Sequence, residues 1–194
     1  MQSGFEFTDK ASEVLKAATD QCRENRNISV HPLHIALALV EPEDSLGKQV
    51  IAKANGDKLT VERGLKRAVV KLPVQDPPPD DIGFSSDAVR MLRAAQDLQK
   101  KNGDAFIAVD HLLLASMDQR EVKESFSAAG LSKEQIESVV KSIRGTRKVT
   151  TKSAEGTYDA LNKYGIDMVS LAESGKLDPV IGRDDEIRRV IRVL

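Results

Sequence analysis

The chain has little aromatic character. It has no tryptophan, and aromatic residues make up 4% of its 194 residues. A core without large rings must be built from leucine, isoleucine, valine and alanine, which favours helices over a β-sandwich. Cys22 is the single cysteine, so the sequence excludes an internal disulfide and a multi-cysteine zinc site. We expect Cys22 to lie on the apolar side of the first helix as a small hydrophobe.

An excess of charge of one sign is also absent, because 29 basic and 30 acidic side chains leave a net charge of -1. This balance gives no long-range attraction to nucleic acid or to an anionic membrane. No apolar run approaches the roughly 20 residues that span a bilayer, and residues 1–10 resemble neither a signal peptide nor a transit helix. We therefore expect a soluble cytoplasmic or nuclear protein, with neither nucleic acid nor membrane as a partner.

Motifs for enzyme chemistry are missing as well. The two Gly-Lys pairs are followed by glutamine and leucine, whereas a phosphate-binding loop needs serine or threonine there and an earlier glycine. The chain therefore has no Walker A motif, and we expect no ATP hydrolysis. His31 and His34 are three residues apart, but no third histidine or cysteine lies nearby in the sequence to complete a zinc site. We expect neither a metal site nor catalytic residues.

The chain carries one sequence unit twice. The stretch FTDKASEVLKAA at residues 7–18 matches FSSDAVRMLRAA at residues 84–95, an offset of 77 positions. The same offset brings His34 in HPLHIALAL onto His111 in AVDHLLLAS. Because the histidine recurs without further metal ligands, we interpret it as a packing or hydrogen-bonding residue of the repeat.

The sequence of each copy predicts four helices. Thr8 and Ser85 precede the apolar periodicity and are predicted N-caps of a long first helix. Pro32 occupies a first-turn position of the second helix, where no backbone donor is needed. Two further helical stretches follow in each copy, with an offset of about 74 or 75 positions. One copy could not bury its helices well alone, so we predict an all-α fold in which two four-helix repeats pack around a pseudo-twofold axis as one compact domain.

Two polar segments divide the chain. The proline-rich stretch LPVQDPPPDDIG at residues 72–83 favours an extended strap between the halves of one domain. The stretch RGTRKVTTKSAEGTYD at residues 144–159 lacks apolar periodicity and predicts a tether between domains. We therefore predict a repeat domain over residues 1–144, a flexible tether over 145–159, and a third segment with short helices over 160–194.

These residues identify a family resemblance that covers practically the whole chain. The closing stretch KYGIDMVSLAESGKLDPVIGRDDEIRRVIRVL resembles the start of the first ATPase module of the ClpB-type AAA+ disaggregases, the heat-shock Clp chaperones. The double repeat and the strap resemble their amino-terminal domain. The stretch PPPDDI is similar to the corresponding stretch of the eukaryotic cytosolic or nuclear disaggregases. Clp proteins that work with a protease carry a related repeat, but their usual TEHILLGL is absent from both copies.

The resemblance implies that the chain is an amino-terminal fragment that ends inside the first helix of an ATPase module. Val180, Ile181 and Gly182 match the stretch that lines the adenine pocket in relatives, here without the phosphate loop. We expect no cofactor and no tight nucleotide binding in this chain, and ATP and magnesium in the intact parent. The resemblance also implies a homohexameric parent, while we expect the fragment to be a monomer.

The resemblance further implies that the domain captures unfolded or aggregated polypeptides and passes them to the pore of the hexameric motor. An apolar groove between the paired first helices could receive extended hydrophobic segments. Core packing is the alternative for each groove residue, because a helical stripe does not say which edge stays open. The predicted groove residues are Val14, Ala17, Met91, Ala94 and Leu98.

Three polar residues fall on positions that resemble substrate-binding residues of the family: Thr8, Asp104 and Asp110. Thr8 has a structural alternative as an N-cap, a role that contributes about 1 kcal/mol to helix stability. Asp110 would lie in the first turn of its helix, where an acidic side chain favours the helix dipole. The repeat offset places Leu33 opposite Asp110. The shared fold therefore does not require an acid there, which favours a functional role.

Two other classes of function stay open at this point. The domain could dock adaptors or cochaperones that are themselves folded, as related repeats do in protease-linked Clp machines. It could also be an interaction domain that the tether positions to gate the motor.

Overall fold

The computed structural model describes residues 4–77, 79, 81–145, 147–153, 171–172, 175 and 182–193. The chain divides into two compact units, Met1–Tyr158 and Asp159–Leu194. Among the described residues of the first unit, regular structure is helical, and the β-type pairing is limited to isolated bridges. The predicted all-α fold is therefore confirmed.

Two series of four helices build the first unit. The first repeat contains α1 (Asp9–Glu24), α2 (Pro32–Val40), α3 (Leu46–Lys53) and α4 (Lys58–Val69). The second repeat contains α5 (Ser86–Asn102), α6 (Val109–Ser116), α7 (Arg120–Ala128) and α8 (Lys133–Arg144). The second unit contains α9 (Asp184–Val193). The order of the helices matches the predicted duplication.

The first helices begin where their polar caps predict. The Thr8 hydroxyl accepts a hydrogen bond from the Ala11 N–H at 3.2 Å, and the Ser85 hydroxyl accepts from the Ala88 N–H at 3.2 Å. Each hydroxyl satisfies a backbone donor that the first turn leaves without a helical partner. Pro32 is the first residue of α2, so its missing N–H costs nothing there.

The core lies around α2 and α6, which pack against each other, while α1 packs on α2 and α5 packs on α6. Every residue of α2 is buried, as its uninterrupted apolar sequence requires. Cys22 is fully buried in this core, as predicted, and burial raises the pKa of its thiol. The largest buried side chains include Leu33, Ile35, Leu39, Leu112, Leu113 and Phe126.

The two repeats exchange their leading segments. The Thr8 N–H donates to the Ile107 carbonyl at 3.0 Å, and the Ile107 N–H donates to the Glu6 carbonyl at 2.8 Å. The equivalent pairing in the other half joins Ser85 to Val30 at 2.9 Å and Val30 to Gly83 at 2.8 Å. We call residues 4–7 and 81–84 the two arms. Each arm is hydrogen-bonded to the opposite repeat, as a pseudo-twofold axis demands.

One contact near this axis breaks the symmetry. Gly56 and Leu131 occupy equivalent positions at the offset of 75, and they touch each other. A Cβ atom on Gly56 would lie 2.5 Å from a methyl carbon of Leu131, which is far inside van der Waals contact. Only one of the two positions can carry a side chain, so the first repeat has glycine and the second has leucine.

The strap and the beginning of the predicted tether both pack on the repeat domain. The Asn27 side-chain amide donates to the Leu72 and Pro73 carbonyls at 3.4 and 3.1 Å, which holds the strap. We predicted a flexible segment from residue 145, but Val149 is fully buried and its carbonyl accepts from the Ala105 N–H at 2.8 Å. The isolated apolar side chain and its backbone partner explain the difference.

Candidate functional site

The predicted groove residues fall into two groups. Val14, Ala94 and Leu98 are partly exposed and pack against the core, and Ala17 is exposed. Met91 is only 1% exposed, so it belongs to the core and cannot form the wall of a surface groove. The reason is its place in the middle of the buried stripe of α5, one turn from Ala88 and Ala95. This position corrects our assignment of Met91 to the groove.

The arms add further apolar surface beside these helices. Phe5 and Phe7 lie with their ring centroids 6.0 Å apart. Their counterparts at the offset of 77 are Ile82 and Phe84, and all four are partly buried against the core. The Gln96 side-chain amide donates to the Gly4 carbonyl at 2.9 Å, which holds the first arm against α5.

Two predicted polar residues converge on Arg144, the last residue of α8. One terminal nitrogen of Arg144, Nη2, donates to Asp104 Oδ2, and the other, Nη1, donates to Asp110 Oδ2 at 2.7 Å. The Asp104 side chain is fully buried, and those of Asp110 and Arg144 are each 12% exposed. Burial lowers the pKa of Arg144, but hydrogen bonds and charge from both carboxylates outweigh it, and the pKa lies above its usual value.

His111 completes this group, and Asp104, Asp110, His111 and Arg144 are called the ion cluster below. The Nδ1 atom of His111 accepts from the Ala108 N–H at 3.0 Å, so the ring proton lies on Nε2. That nitrogen donates to Asp104 Oδ2 at 3.0 Å. Burial lowers the pKa of His111, and the Asp110 and Asp104 charges offset only part of this effect. His111 therefore acts as a neutral donor.

In the first repeat, the equivalent buried histidine is hydrogen-bonded to uncharged groups. The Nδ1 atom of His34 accepts from the His31 N–H at 2.9 Å, and Nε2 lies 2.9 Å from Asn27 Oδ1. Burial, together with a smaller effect of the neighbouring His31 charge, lowers the pKa of His34 to about 4. Asn27 is the counterpart of Asp104 at the offset of 77. Hydrogen bonding by both repeat histidines, which we predicted, is therefore confirmed.

All three predicted polar residues have internal partners. Thr8 is fully buried and caps α1, and Asp104 and Asp110 bind Arg144. Contact with a bound polypeptide would require these groups to leave partners that compensate their burial. In this structure the three residues support the fold, and their direct contact with substrate stays a prediction.

The ion cluster also contacts the segment that leaves the second repeat. We call residues 147–152 the exit segment. Asp104 Oδ1 accepts from the Val149 N–H at 2.8 Å, and the Nε atom of Arg144 donates to the Arg147 carbonyl at 3.0 Å. Further on, the Lys152 carbonyl accepts from the Asp9 N–H at 3.0 Å, directly after Thr8.

Sequence reasoning missed Arg144 and Val149, although a signal for Arg144 was present. At the offset of 75, Arg144 aligns with Val69, while Asp110 aligns with Leu33 at 77. Two charges of opposite sign thus replace two apolar residues of the other repeat. Paired replacement of this kind indicates that the two side chains meet in the folded structure.

The predicted nucleotide-contact residues lie mostly beyond the described part of the chain. Val180 and Ile181 are outside the described residues. Gly182 is described, with a φ of 74°, a left-handed conformation that favours glycine. It precedes α9, whose first turn carries three acidic side chains. Nucleotide contact by these residues stays a prediction.

The described residues contain neither a metal-binding group nor a membrane-spanning helix. No group of three or more histidine, cysteine or acidic side chains is arranged there to hold a metal ion. Within the same ranges, every helix is too short or too polar to cross a bilayer.

Comparison with known proteins places the chain among heat shock proteins and chaperones. It is 40% identical over 194 residues to heat shock protein 104 of Schizosaccharomyces pombe, an alignment that covers 98% of this chain and 21% of the relative. It is 43% identical over 193 residues to heat shock protein 100 of Trypanosoma brucei brucei, covering 99% and 22%. The chain thus spans about a fifth of the length of these curated relatives.

A solved structure shows the same fold. The crystal structure of the Hsp104 N-terminal domain from Candida albicans matches with a TM-score of 0.71 and 30% sequence identity, and the match covers 77% of this chain and 98% of that chain. Residues 6–143 match the family described as the Clp repeat (R) N-terminal domain. This range contains both four-helix repeats except Arg144, the last residue of α8, and the chain belongs to that family.

Proposed function

We propose that the repeat domain binds exposed hydrophobic segments of unfolded or aggregated polypeptides and hands them to a hexameric, ATP-driven translocating motor. The observation that carries this proposal is the set of partly exposed apolar side chains on the arms and first helices. The set consists of Phe5, Phe7, Val14, Leu15, Ile82, Phe84, Ala94 and Leu98. Membership of the Clp repeat family and the chaperone names of the relatives support it.

Such a surface would bind weakly and without reading a sequence. Burying three or four apolar side chains of a client would yield about 5 to 12 kcal/mol before entropy losses. After those losses we expect affinities of roughly micromolar to millimolar. The near-zero net charge of the chain would leave binding to apolar contacts. Weak binding suits a domain that must release its client to a motor.

The motor itself belongs to the proposed parent protein. We place ATP and magnesium there, with Val180, Ile181 and Gly182 at the edge of the adenine site, and we assign the parent to the cytoplasm as a homohexamer. The share of the relatives that this chain spans, about a fifth, leaves ample length for such modules.

Titration with a permanently unfolded test protein would examine the proposal. We expect amide signals of the arms, α1 and α5 to shift with a dissociation constant of roughly micromolar to millimolar. The substitutions Val14→Ser and Leu98→Ser should weaken binding because they remove apolar contact area. Leu59→Ser is the matched control, since Leu59 is an exposed apolar residue, 58% accessible, on α4.

Two results would contradict client binding at this surface. The first is an equal loss of affinity in Leu59→Ser, which would indicate nonspecific association. The second is the absence of any shift with the unfolded protein. That result would favour the alternative class, in which the domain docks a folded adaptor or cochaperone that regulates the motor.

A further inference from the structure

We propose that Arg144 is a positioning residue that docks the exit segment on the repeat domain and so fixes the course of residues 147–152 along its surface. This inference is independent of client binding. It starts from three anchors along six residues: the Arg147 carbonyl on Arg144 Nε, the Val149 N–H on Asp104 Oδ1, and the Lys152 carbonyl on the Asp9 N–H. Between them the Val149 side chain is fully buried.

Arg144 holds two of these anchors in place. Its Nε atom binds the exit segment directly, and its Nη2 atom binds the second oxygen of Asp104, whose first oxygen accepts from Val149. Its Nη1 atom binds Asp110. A planar guanidinium can make these three contacts at once because its donors point outward in a fixed fork. No other side-chain type offers this geometry together with a permanent charge.

The helical repeat does not need this arrangement in order to form. The first repeat has Val69 in place of Arg144 and Leu33 in place of Asp110, and its helices have the same order. There the uncharged Asn27 holds the strap through the Leu72 and Pro73 carbonyls. The charges of the second repeat are therefore an addition, and what they contact beyond the shared scaffold is the exit segment.

Docking changes the reach of the chain. With the exit segment in place, Lys152 is held beside the start of α1, where its carbonyl accepts from the Asp9 N–H. Without it, the chain would leave at the end of α8 and free residues 145–152, which span about 25 Å when extended. Arg144 thus controls whether the exit segment follows the surface of the repeat domain or extends away from it.

Hydrogen exchange on the 194-residue chain tests this role through three amides that the docking protects: Asp9, Ala105 and Val149. The main variant is Arg144→Met combined with Asp110→Leu, which removes one charge of each sign and so leaves the net charge of the ion cluster unchanged. We expect the three amides to exchange about tenfold to a hundredfold faster, as loss of a hydrogen bond to a charged group implies. The amides of Val30 and Ser85, which join the arm of the other half, should keep their rates.

Two further variants make the test specific. Asp110→Leu alone is the matched control, because it alters the ion cluster but keeps Arg144 on Asp104 and on the exit segment, and its three amides should stay protected. Arg144→Lys keeps the charge but lacks the forked guanidinium, so it should increase the exchange rates of the same three amides by a smaller factor. This variant tests the proposal if the double variant does not fold. Unchanged exchange in the Arg144 variants, or equal acceleration of Val30 and Ser85, would overturn the proposal.

Discussion

The two repeats bury the same histidine against different partners. His34 faces the amide of Asn27, whereas His111 faces the carboxylate of Asp104 beside a second carboxylate and a guanidinium. The backbone scaffold is nevertheless shared, with four helices and one crossed arm in each half. The comparison separates what the fold requires, a neutral buried imidazole, from what one repeat adds, a set of buried charges.

Buried charges of this kind make the second repeat the more vulnerable half. Removing one partner of a buried ion pair leaves the other without compensation, whereas removing an apolar side chain leaves only a small cavity. The free energy of unfolding should therefore respond very differently to equivalent substitutions in the two halves.

The largest effect should come from Arg144→Met, which leaves Asp104 and Asp110 buried together without a cation. We expect a loss of about 3 to 5 kcal/mol in the free energy of unfolding, measured by urea denaturation at pH 7. The equivalent substitution in the first repeat, Val69→Ala, should cost about 2 kcal/mol, the transfer free energy of two methyl groups. Equal losses in the two variants would contradict the contrast between the repeats.

Acid should destabilise the domain because each repeat buries a neutral histidine. The pKa of His34 is lowered to about 4 from 6.5, and burial also lowers the pKa of His111. The unfolded chain therefore binds more protons between pH 6.5 and 4, and stability falls as the pH falls through this window. For His34 the full loss is on the order of 3 kcal/mol.

Unfolding by urea at a series of pH values would measure this dependence. In His34→Gln, a side chain that cannot titrate, the slope between pH 6.5 and 4.5 should be smaller than in the unmodified chain. An identical slope in the two proteins would exclude His34 as a source of the acid sensitivity.

Smaller effects are expected at the helix caps, where the repeats are alike. Thr8→Ala and Ser85→Ala each remove one hydrogen bond to a first-turn N–H, and each should cost about 1 kcal/mol. Thermal unfolding of the two variants and of their combination would show whether the losses are similar and additive. A loss confined to one of them would show that the two first helices contribute unequally.

The smallest effect should follow from copying the first repeat into the second. The triple variant Asp104→Asn, Asp110→Leu, Arg144→Val replaces all the charges by the residues found at 27, 33 and 69. Replacing a whole buried ion pair by apolar residues is often neutral or stabilising, so we expect a change within about 1 kcal/mol or a gain. Calorimetry would measure it, and a loss as large as that of Arg144→Met alone would mean that the fold itself depends on the charges.

The sequence was sufficient to predict much of the repeat domain. Local signals identify the caps at Thr8 and Ser85 and the start of α2 at Pro32, because each acts on the few residues that follow it. The duplication then predicts the pairing of the halves, since each copy leaves apolar faces that only the other copy can cover. His34 and His111 were recognised as hydrogen-bonding residues by their recurrence alone.

The polar part of the candidate site could not be predicted in the same way. Arg144 lies 34 residues from Asp110 and 40 from Asp104 in the chain, and no local rule joins residues at such separations. Met91 was misassigned because helical periodicity identifies an apolar stripe but not the neighbour that covers its centre. Val149 was overlooked because a single apolar residue in a polar stretch gives no periodic signal.

The crossed arms have a consequence for how such a unit could have arisen. A lone copy of residues 1–77 would present the backbone groups of Glu6, Thr8 and Val30 to water, because their partners lie in the other copy. Two identical chains could satisfy all of them by exchanging arms reciprocally, in the manner of a domain-swapped homodimer. End-to-end fusion of two such genes would yield the present molecule, in which the proline-rich strap marks the junction. After the fusion, the second repeat could acquire its buried charges independently of the first.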